Sequence, residues 1–447
     1  MHADLKIDLA IVPSPVREVL ARLEENNFRA YLVGGVVRDI IQGREPRDYD
    51  IATSAPPDKV RGLFPASAPT GLKHGTVTVI HGGLGIETTT LRRDGKYSDS
   101  RRPDSVEFTL SLREDLSRRD FTINSLAADC RGKVYDFFSG LKDMAEGIIK
   151  AVGKPGKRFR EDALRMMRAV RFSCQLGFDI EYKTLESIRL NRRLIARVSA
   201  ERIREELSDI LLSPQPRKGL ELLFCSGLLE YILPELAEGA WVDGEDEKKA
   251  VFSQTLDMLE NSPARLNVRL ACLLHAVAQP APNASGAVRS RNIRRRMGIL
   301  EPTEVILGRL KYDRRTIRSV AALVRECASR PSGEKDIKKL LARVGEDNLE
   351  DLFDLWRSGS GTAGRPGAED TVNNIEKKAQ AILKQNLPLK VTDLAVDGND
   401  LKSLGISPGR EMGATLNRLL EIVLDKPEIN HKSLLLDLVQ GWKRIRV

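Results

Sequence analysis

A chain of 447 residues that is 41% hydrophobic and 30% charged has enough apolar material for several packed domains, which excludes a disordered or low-complexity protein. Its formal net charge of +9 favours a polyanionic partner, nucleic acid first, although the excess is modest for this length. Five scattered cysteines without a Cys-x-x-Cys pair argue against a disulfide framework, and no window approaches the roughly 20 apolar residues of a membrane helix, so a cytoplasmic protein with no membrane insertion is expected.

Residues 14–26 carry Val16, Leu20 and Leu23 at helical spacing and lead into Ala30 to Val33, an apolar run that reads as a strand. Gly34 and Gly35 then let the backbone approach a ligand closely, and a helix predicted from about Val36 aims its first amides at a phosphate, with Arg38 as a cationic contact beside it. In Arg47-Asp48-Tyr49-Asp50-Ile51-Ala52-Thr53 the two aspartates alternate along a predicted strand. They would project from one face about 6.5–7 Å apart, and hard oxygen donors at that spacing favour Mg2+. Either fragment alone reads as an ordinary turn or a solvated edge; together they point to a place where triphosphate and metal meet.

Further along, residues 77–89 read as two strands around a Gly-rich turn, which predicts a small mixed or antiparallel sheet. Residues 91–103, with Gly95 and dense mixed charge, read as a loop able to change shape. Beyond about residue 140 the strand signals fade, and 161–176, 200–212 and 265–275 read as helices. The fold class is therefore α+β, a head with an all-α body. Residues 279–286 and 357–367 read as loops within that body, the second rich in Gly and Ser.

The Gly-Gly and Asp-x-Asp constellation resembles the nucleotidyltransferase superfamily that includes DNA polymerase β. Four more segments narrow the resemblance to the class II tRNA nucleotidyltransferases and bacterial poly(A) polymerases. They are Leu91-Arg92-Arg93-Asp94-Gly95-Lys96-Tyr97 with Arg101-Arg102-Pro103, Arg118-Arg119-Asp120-Phe121-Thr122-Ile123-Asn124-Ser125, the stretch from Glu161 to Phe172, and Ser199-Ala200-Glu201-Arg202-Ile203. The resemblance covers about the first half of the chain, with a weaker echo in Asp393 to Leu401. It implies a polymerase β-like head (1–140), a neck that recognises the base (141–212), a helical body (213–385) and a helical, tRNA-binding tail (386–447).

What the resemblance implies for chemistry is specific. Asp48 and Asp50 would hold two Mg2+ ions for transfer of a nucleotidyl group from CTP or ATP to the 3′ end of tRNA, building or repairing CCA, with Glu87 as the candidate further carboxylate. Arg119 suits a phosphate, while Asp120 and Asn124 suit a ribose hydroxyl; the same residues could instead cap a helix. The loop at 91–103 corresponds to the family's flexible loop, tied to the switch from C to A addition. A tRNA nucleotidyltransferase that adds A alone, a poly(A) polymerase and a non-catalytic tRNA-binding protein stay open as alternatives.

Base choice is expected at Asp162 and Arg165, three apart on a predicted helix and so on one face, with Arg168 as a further nucleotide-binding candidate. Cytosine and adenine both offer an amino donor beside a ring-nitrogen acceptor. A carboxylate and a guanidinium side by side would match that edge and leave buried groups unpaired against uracil or guanine. An ordinary ion-pair network among Glu161, Asp162, Arg165 and Arg168 is the plainer alternative.

In the helical half, Arg269 to Ala276 resembles the start of an HD phosphohydrolase-like segment, but Ala276 stands where the aspartate would be, so His275 is expected to be a packed helix residue. Two arginine clusters, around Arg294 and Arg295 and around Arg314 and Arg315, fit a surface that tracks tRNA phosphates or, equally in appearance, a solvated helix face. The sequence leaves the oligomeric state open.

Overall fold

A computed structural model of the chain describes residues 5–95, 105–240, 246–275, 303–360 and 367–445. They divide into two compact units, residues 1–237 and 238–447.

The first unit is organised by a mixed sheet. Among the described residues of its first 140 positions are nine strands: β1 (Ala30–Val33), β2 (Asp50–Thr53), β3 (Ser67–Gly71), β4 (Thr76–His81), β5 (Leu84–Thr90), β6 (Arg92–Asp94), β7 (Val106–Phe108), β8 (Leu126–Asp129) and β9 (Val134–Asp136). Seven of them join in the order β3-β4-β5-β2-β1-β8-β9. All the pairings are antiparallel except β2 with β5, which run parallel with Asp50 opposite Glu87. The β4–β5 hairpin closes through Gly82 and Gly83, both at positive φ, as a two-residue turn of that twist requires.

Helix α1 (Ser14–Glu25) buries Val16, Val19, Leu20 and Leu23, a single stripe of the expected period. Short helices α2 (Gly35–Ile41), α3 (Pro57–Leu63), α4 (Leu112–Ser117) and α5 (Gly140–Ala145) connect the strands. Leu91, Leu112 and Leu116 pack with Val33, Ala52 and Ala127 in a core against the sheet, next to half-buried Tyr31, Tyr135 and Phe138.

The helical remainder of this unit starts with α6 (Pro155–Glu161) and α7 (Arg165–Leu176), followed by α8 (Tyr182–Asn191) and α9 (Ala200–Leu211). Residues 161–176 are thus not one helix, as their periodicity suggests. Asp162 is extended (φ −142°, ψ 107°), and its Oδ1 accepts the Leu164 N–H at 3.1 Å, a local bond that competes with helix and breaks it. Phe121 and Phe172 meet edge to face at 5.8 Å, locking α7 onto the sheet unit.

Two predicted loops are also partly regular. Arg92–Asp94 pairs with Val106–Phe108 in a two-stranded ribbon, because the polar run has a partner strand downstream that local reading does not reveal. Residues 357–360 finish helix Leu349–Ser360, held by Ser358 Oγ on the Asp354 carbonyl (2.7 Å) and by Arg357 on Asp354, Asn373 and Glu376. The remaining parts of both predicted loops, and all of 279–286, lie outside the described residues.

The second unit is helical in its described residues. Trp356 is buried and donates its Nε1–H to the Glu326 carbonyl at 3.0 Å. Leu401, Leu419, Val423, Leu435 and Val439 centre a separate apolar cluster near the C-terminus. Asp397 caps helix Gly398–Ser403, with Asp400 completing a capping box. No described helix is long and apolar enough to cross a membrane, and all five cysteines are free thiols.

Candidate active site

Gly34 leaves β1 with φ +80° and ψ −134°, a conformation that only glycine adopts without strain, and turns the chain into α2. A Cβ at that position would lie 2.9 Å from Arg119 Nη1 and 3.9 Å from Asp50 Oδ2. The bare backbone is what lets a guanidinium and a carboxylate close over the turn. Asp50 opens β2 and Asp48 precedes it, both lining a cleft of about 460 Å³ that also takes in Gly34, Gly35, Arg38, Arg119, Asp120, Asn124, Asp162, Arg165 and Arg168. One cleft therefore gathers eleven of the catalytic and nucleotide-binding residues marked from the sequence, all except Glu87, which is exposed on β5 and is not part of the lining.

Among the described residues no hydrogen bond or salt bridge engages the Asp48 or Asp50 side chain. Burial pushes the Asp50 carboxyl up to about 6; Arg119 opposes that rise, while Glu87 and Asp48 add to it. Such a group of repelling acids fits a divalent cation, and two carboxylates plus water and phosphate oxygens are a set that Mg2+ accepts. No three His, Cys, Asp or Glu side chains among the described residues converge as an all-protein metal cage.

The segment from α4 to Asn124 supplies the surrounding cations. Asp115 is buried, and its Oδ1 receives Arg118 Nε and Nη2 (2.9 and 2.8 Å) and the Arg92 N–H (3.3 Å), while Arg119 Nη2 stands 3.4 Å from Oδ2. Burial would raise the Asp115 carboxyl, but Arg118 and Arg119 hold it below the usual carboxylate range. Arg119 Nε is buried without a hydrogen-bond partner, so this guanidinium has donor capacity to spare beside Gly34.

Asp120 is differently placed from what the sequence suggests. Its Oδ1 accepts the Phe121 N–H (2.8 Å) and Asn124 Nδ2 (3.2 Å), and its Oδ2 accepts Arg168 Nε and Nη2 (2.8 and 2.7 Å). Both oxygens are thus occupied within the protein rather than offered to a ribose. Against the pull of burial, Arg168 and Arg165 hold its carboxyl down to about 2. Arg38 is likewise engaged: Nη1 donates to Asn124 Oδ1 at 2.6 Å and Nε to Asp39 Oδ1 at 2.8 Å. Its guanidinium also sits 5.3 Å from the Phe172 ring centroid, alongside Arg168 (5.2 Å) and Arg171 (4.3 Å).

Asp162 and Arg165 share the cleft but are not paired with each other on one helix face. Asp162, in the break before α7, takes Arg202 of α9 in a two-pronged contact, Nη1 to Oδ1 at 3.2 Å and Nη2 to Oδ2 at 2.8 Å. Arg165 donates to Glu161 Oε2 (2.9 Å) and to the Arg118 carbonyl (2.9 Å), and Glu161 is held in turn by Arg158 at 2.7 Å. The spacing rule fails here because the helix stops at Asp162. Sequence reasoning singled out neither Asp115 nor Arg202 for a role. Arg202 stands inside a segment that carried the resemblance and Asp115 shortly before another, but nothing local says which side chain turns inward.

In the second unit Arg314 and Arg315 are exposed at the start of helix Arg314–Glu326, whereas Arg294, Arg295 and Ala276 lie outside the described residues. His275 is half-buried, with Nδ1 2.7 Å from the Cys272 carbonyl.

Comparison with known proteins gives a consistent picture. Residues 30–150 match the poly A polymerase head domain, residues 177–239 a probable RNA and SrmB-binding site of polymerase A, and residues 296–439 a model described as tRNA nucleotidyltransferase domain 2. The CCA-adding enzyme of Lactobacillus helveticus is 36% identical over 411 residues, 91% of each chain. That of Lactobacillus delbrueckii subsp. bulgaricus is 38% identical over 409 residues, 91% of this chain and 92% of its own. Among solved structures, the Bacillus stearothermophilus CCA-adding enzyme in complex with CTP superposes with a TM-score of 0.72 at 30% identity, covering 97% of this chain and 98% of that one.

Proposed function

The chain belongs to the class II family of bacterial CCA-adding enzymes and poly(A) polymerases, and from that premise we infer that it is a tRNA nucleotidyltransferase which adds the 3′-terminal CCA from CTP and ATP, releasing pyrophosphate. The observation that carries this reading is the single cleft in which two carboxylates without hydrogen-bonded partners lie with Arg119, Asp162 and Arg165.

Asp48 and Asp50 would hold Mg2+, which when bound activates the 3′-hydroxyl and stabilises the departing pyrophosphate. Arg119 presents its spare donors to the triphosphate beside the open backbone of Gly34 and Gly35. Asp120 and Arg38 act through Asn124: they take one of its amide hydrogens and its oxygen, which fixes the amide so that its second N–H can meet a ribose hydroxyl. Arg165 keeps donors beyond those used by Glu161 and Arg118, and these reach the ring nitrogen of cytosine or adenine while Asp162 accepts from the exocyclic amino group. A uracil or guanine edge would instead face carbonyl to carboxylate and N–H to guanidinium, at about 1–3 kcal/mol per unsatisfied buried group.

A second cavity of about 540 Å³ shares Gly35, Arg38, Asp48, Asp50 and Phe172 with the first and is lined by Arg44, Arg47 and Arg171. The RNA 3′ end approaches on this side, so that its hydroxyl attacks opposite the leaving group. Arg314 and Arg315 contribute phosphate contacts from the second unit.

The test is addition to tRNA transcripts ending before, within and one nucleotide short of CCA, with each nucleoside triphosphate alone and in pairs. Stepwise C, C and A addition that then stops is expected. Addition of A alone would move the chain to the A-adding members, and long A tails to the poly(A) polymerases.

A further inference from the structure

Asp162 can discriminate bases only if its carboxylate is held in one orientation and keeps an acceptor site free. An ionised carboxylate has about four acceptor positions and no hydrogen to donate. Three are filled here: the Leu164 N–H and Arg202 Nη1 use Oδ1 at 3.1 and 3.2 Å, and Arg202 Nη2 uses Oδ2 at 2.8 Å. One position, on Oδ2, remains. Cytosine and adenine each bring one amino hydrogen to that edge, so the count matches.

We propose that Arg202 is a specificity-determining positioning residue, which fixes Asp162 as a single-site acceptor for the amino group of CTP and ATP. This rests on the reading of Asp162 and Arg165 as the base-contacting pair. Arg202 lines the same cleft and approaches from α9, a different element from the helix break that carries Asp162. Its planar fork sets the plane of the carboxylate, which a single-point ammonium cannot do. Without the fork, the Asp162 carboxylate is free to turn toward Arg168, whose charge it already feels. Once that contact forms, the acceptor no longer faces the base, and the penalty against uracil and guanine disappears with it.

The experiment measures kcat/KM for all four nucleoside triphosphates on a tRNA transcript lacking CCA, with the full-length wild type and the variants Arg202→Ala, Arg202→Lys and Asp162→Ala, each checked by thermal melting. Arg202→Ala is expected to lower the CTP-to-UTP ratio about tenfold or more, the scale of one charge-assisted hydrogen bond, chiefly through a higher KM for CTP. Arg202→Lys, which retains charge but not the fork, should lose most of the same ratio, and it carries the test if the alanine variant does not fold. A merely structural role would depress all four nucleotides together and leave the ratio at the wild-type value; that result overturns the proposal. If Asp162→Ala also keeps the wild-type ratio, the base-contact reading itself fails. If only Asp162→Ala loses it, the assignment of Arg202 fails alone.

Discussion

Two sets of acids line one cleft, and they are treated in opposite ways. Asp48 and Asp50 have no hydrogen-bonded partner among the described residues, and burial together with neighbouring negative charge pushes Asp50 up to about 6. Asp120 and Asp162 are instead surrounded: guanidiniums and backbone amides take both oxygens of each. The first arrangement is electrostatically unfavourable alone and suits a cation that arrives with substrate. The second is held in place in advance, with one acceptor position of Asp162 left open, which keeps side chains rigid where geometry selects a ligand. A site that does chemistry and a site that measures shape thus have different needs, and the chain meets both within one cavity.

The sharpest break in that contrast comes from the unpartnered set. Asp48→Ala or Asp50→Ala should reduce single-turnover addition by more than the roughly 10²–10³-fold that loss of one transition-state donor costs, while tRNA affinity measured by filter binding stays close to wild type. Turnover near the wild-type rate in either variant would remove the metal assignment. Next in size is Arg165→Ala, which should lower kcat/KM for CTP and ATP together by about 10–150-fold, the equivalent of one charge-assisted bond of about 1.5–3 kcal/mol, and relax rejection of UTP and GTP. Unchanged selectivity in a folded variant would return Arg165 to a purely structural ion pair with Glu161.

For the partnered set, stability is the more direct readout. Burial pulls the Asp120 carboxyl upward, yet Arg168 and Arg165 hold it at about 2 in the folded chain, against an ordinary value of 3.8. A depressed value stabilises the fold above the unfolded pKa, and that contribution is lost as pH falls through the folded one. Asp120→Asn should therefore cost about 2 kcal/mol by chemical denaturation between pH 5 and 7, with about half the difference gone by pH 3. A difference independent of pH would show that the charge on Asp120 is not what matters. The smallest effect belongs to the second unit: Arg314→Ala and Arg315→Ala should each weaken tRNA binding a few-fold and reduce the salt dependence by about one ion, leaving kcat alone. A salt slope that does not move would place the RNA elsewhere.

The unpartnered set was legible in the sequence because backbone geometry alone builds it. Alternation along a strand, a glycine pair after an apolar run and a two-residue hairpin are short-range features, and β1, α2, β2 and the β4–β5 turn all follow them. The partnered set was only half legible. Asp162 and Arg165 were found as residue types, but the helix expected to align them breaks at Asp162, and their partners Arg202 and Glu161 were not distinguished from other charged neighbours. Asp120 was assigned to ligand, whereas its oxygens are spent on Arg168, Asn124 and the Phe121 amide. The strand character of Arg92–Asp94 was missed for a related reason, since its partner lies beyond it in the chain.

By itself the sequence determined the α+β class, the order of sheet and helices, the placement of the carboxylate pair after the glycines, and the surplus of cations that suits RNA. These follow from local periodicity and composition, which a single chain displays directly. Only the tertiary structure decided how the charges are shared out. Whether an aspartate stays open to a metal or is consumed by an arginine depends on which of many guanidiniums reaches it across 40 or more residues, as Arg202 reaches Asp162 and Arg168 reaches Asp120. Long flexible cations carry no periodic signal that names their partner, so burial and packing make that choice.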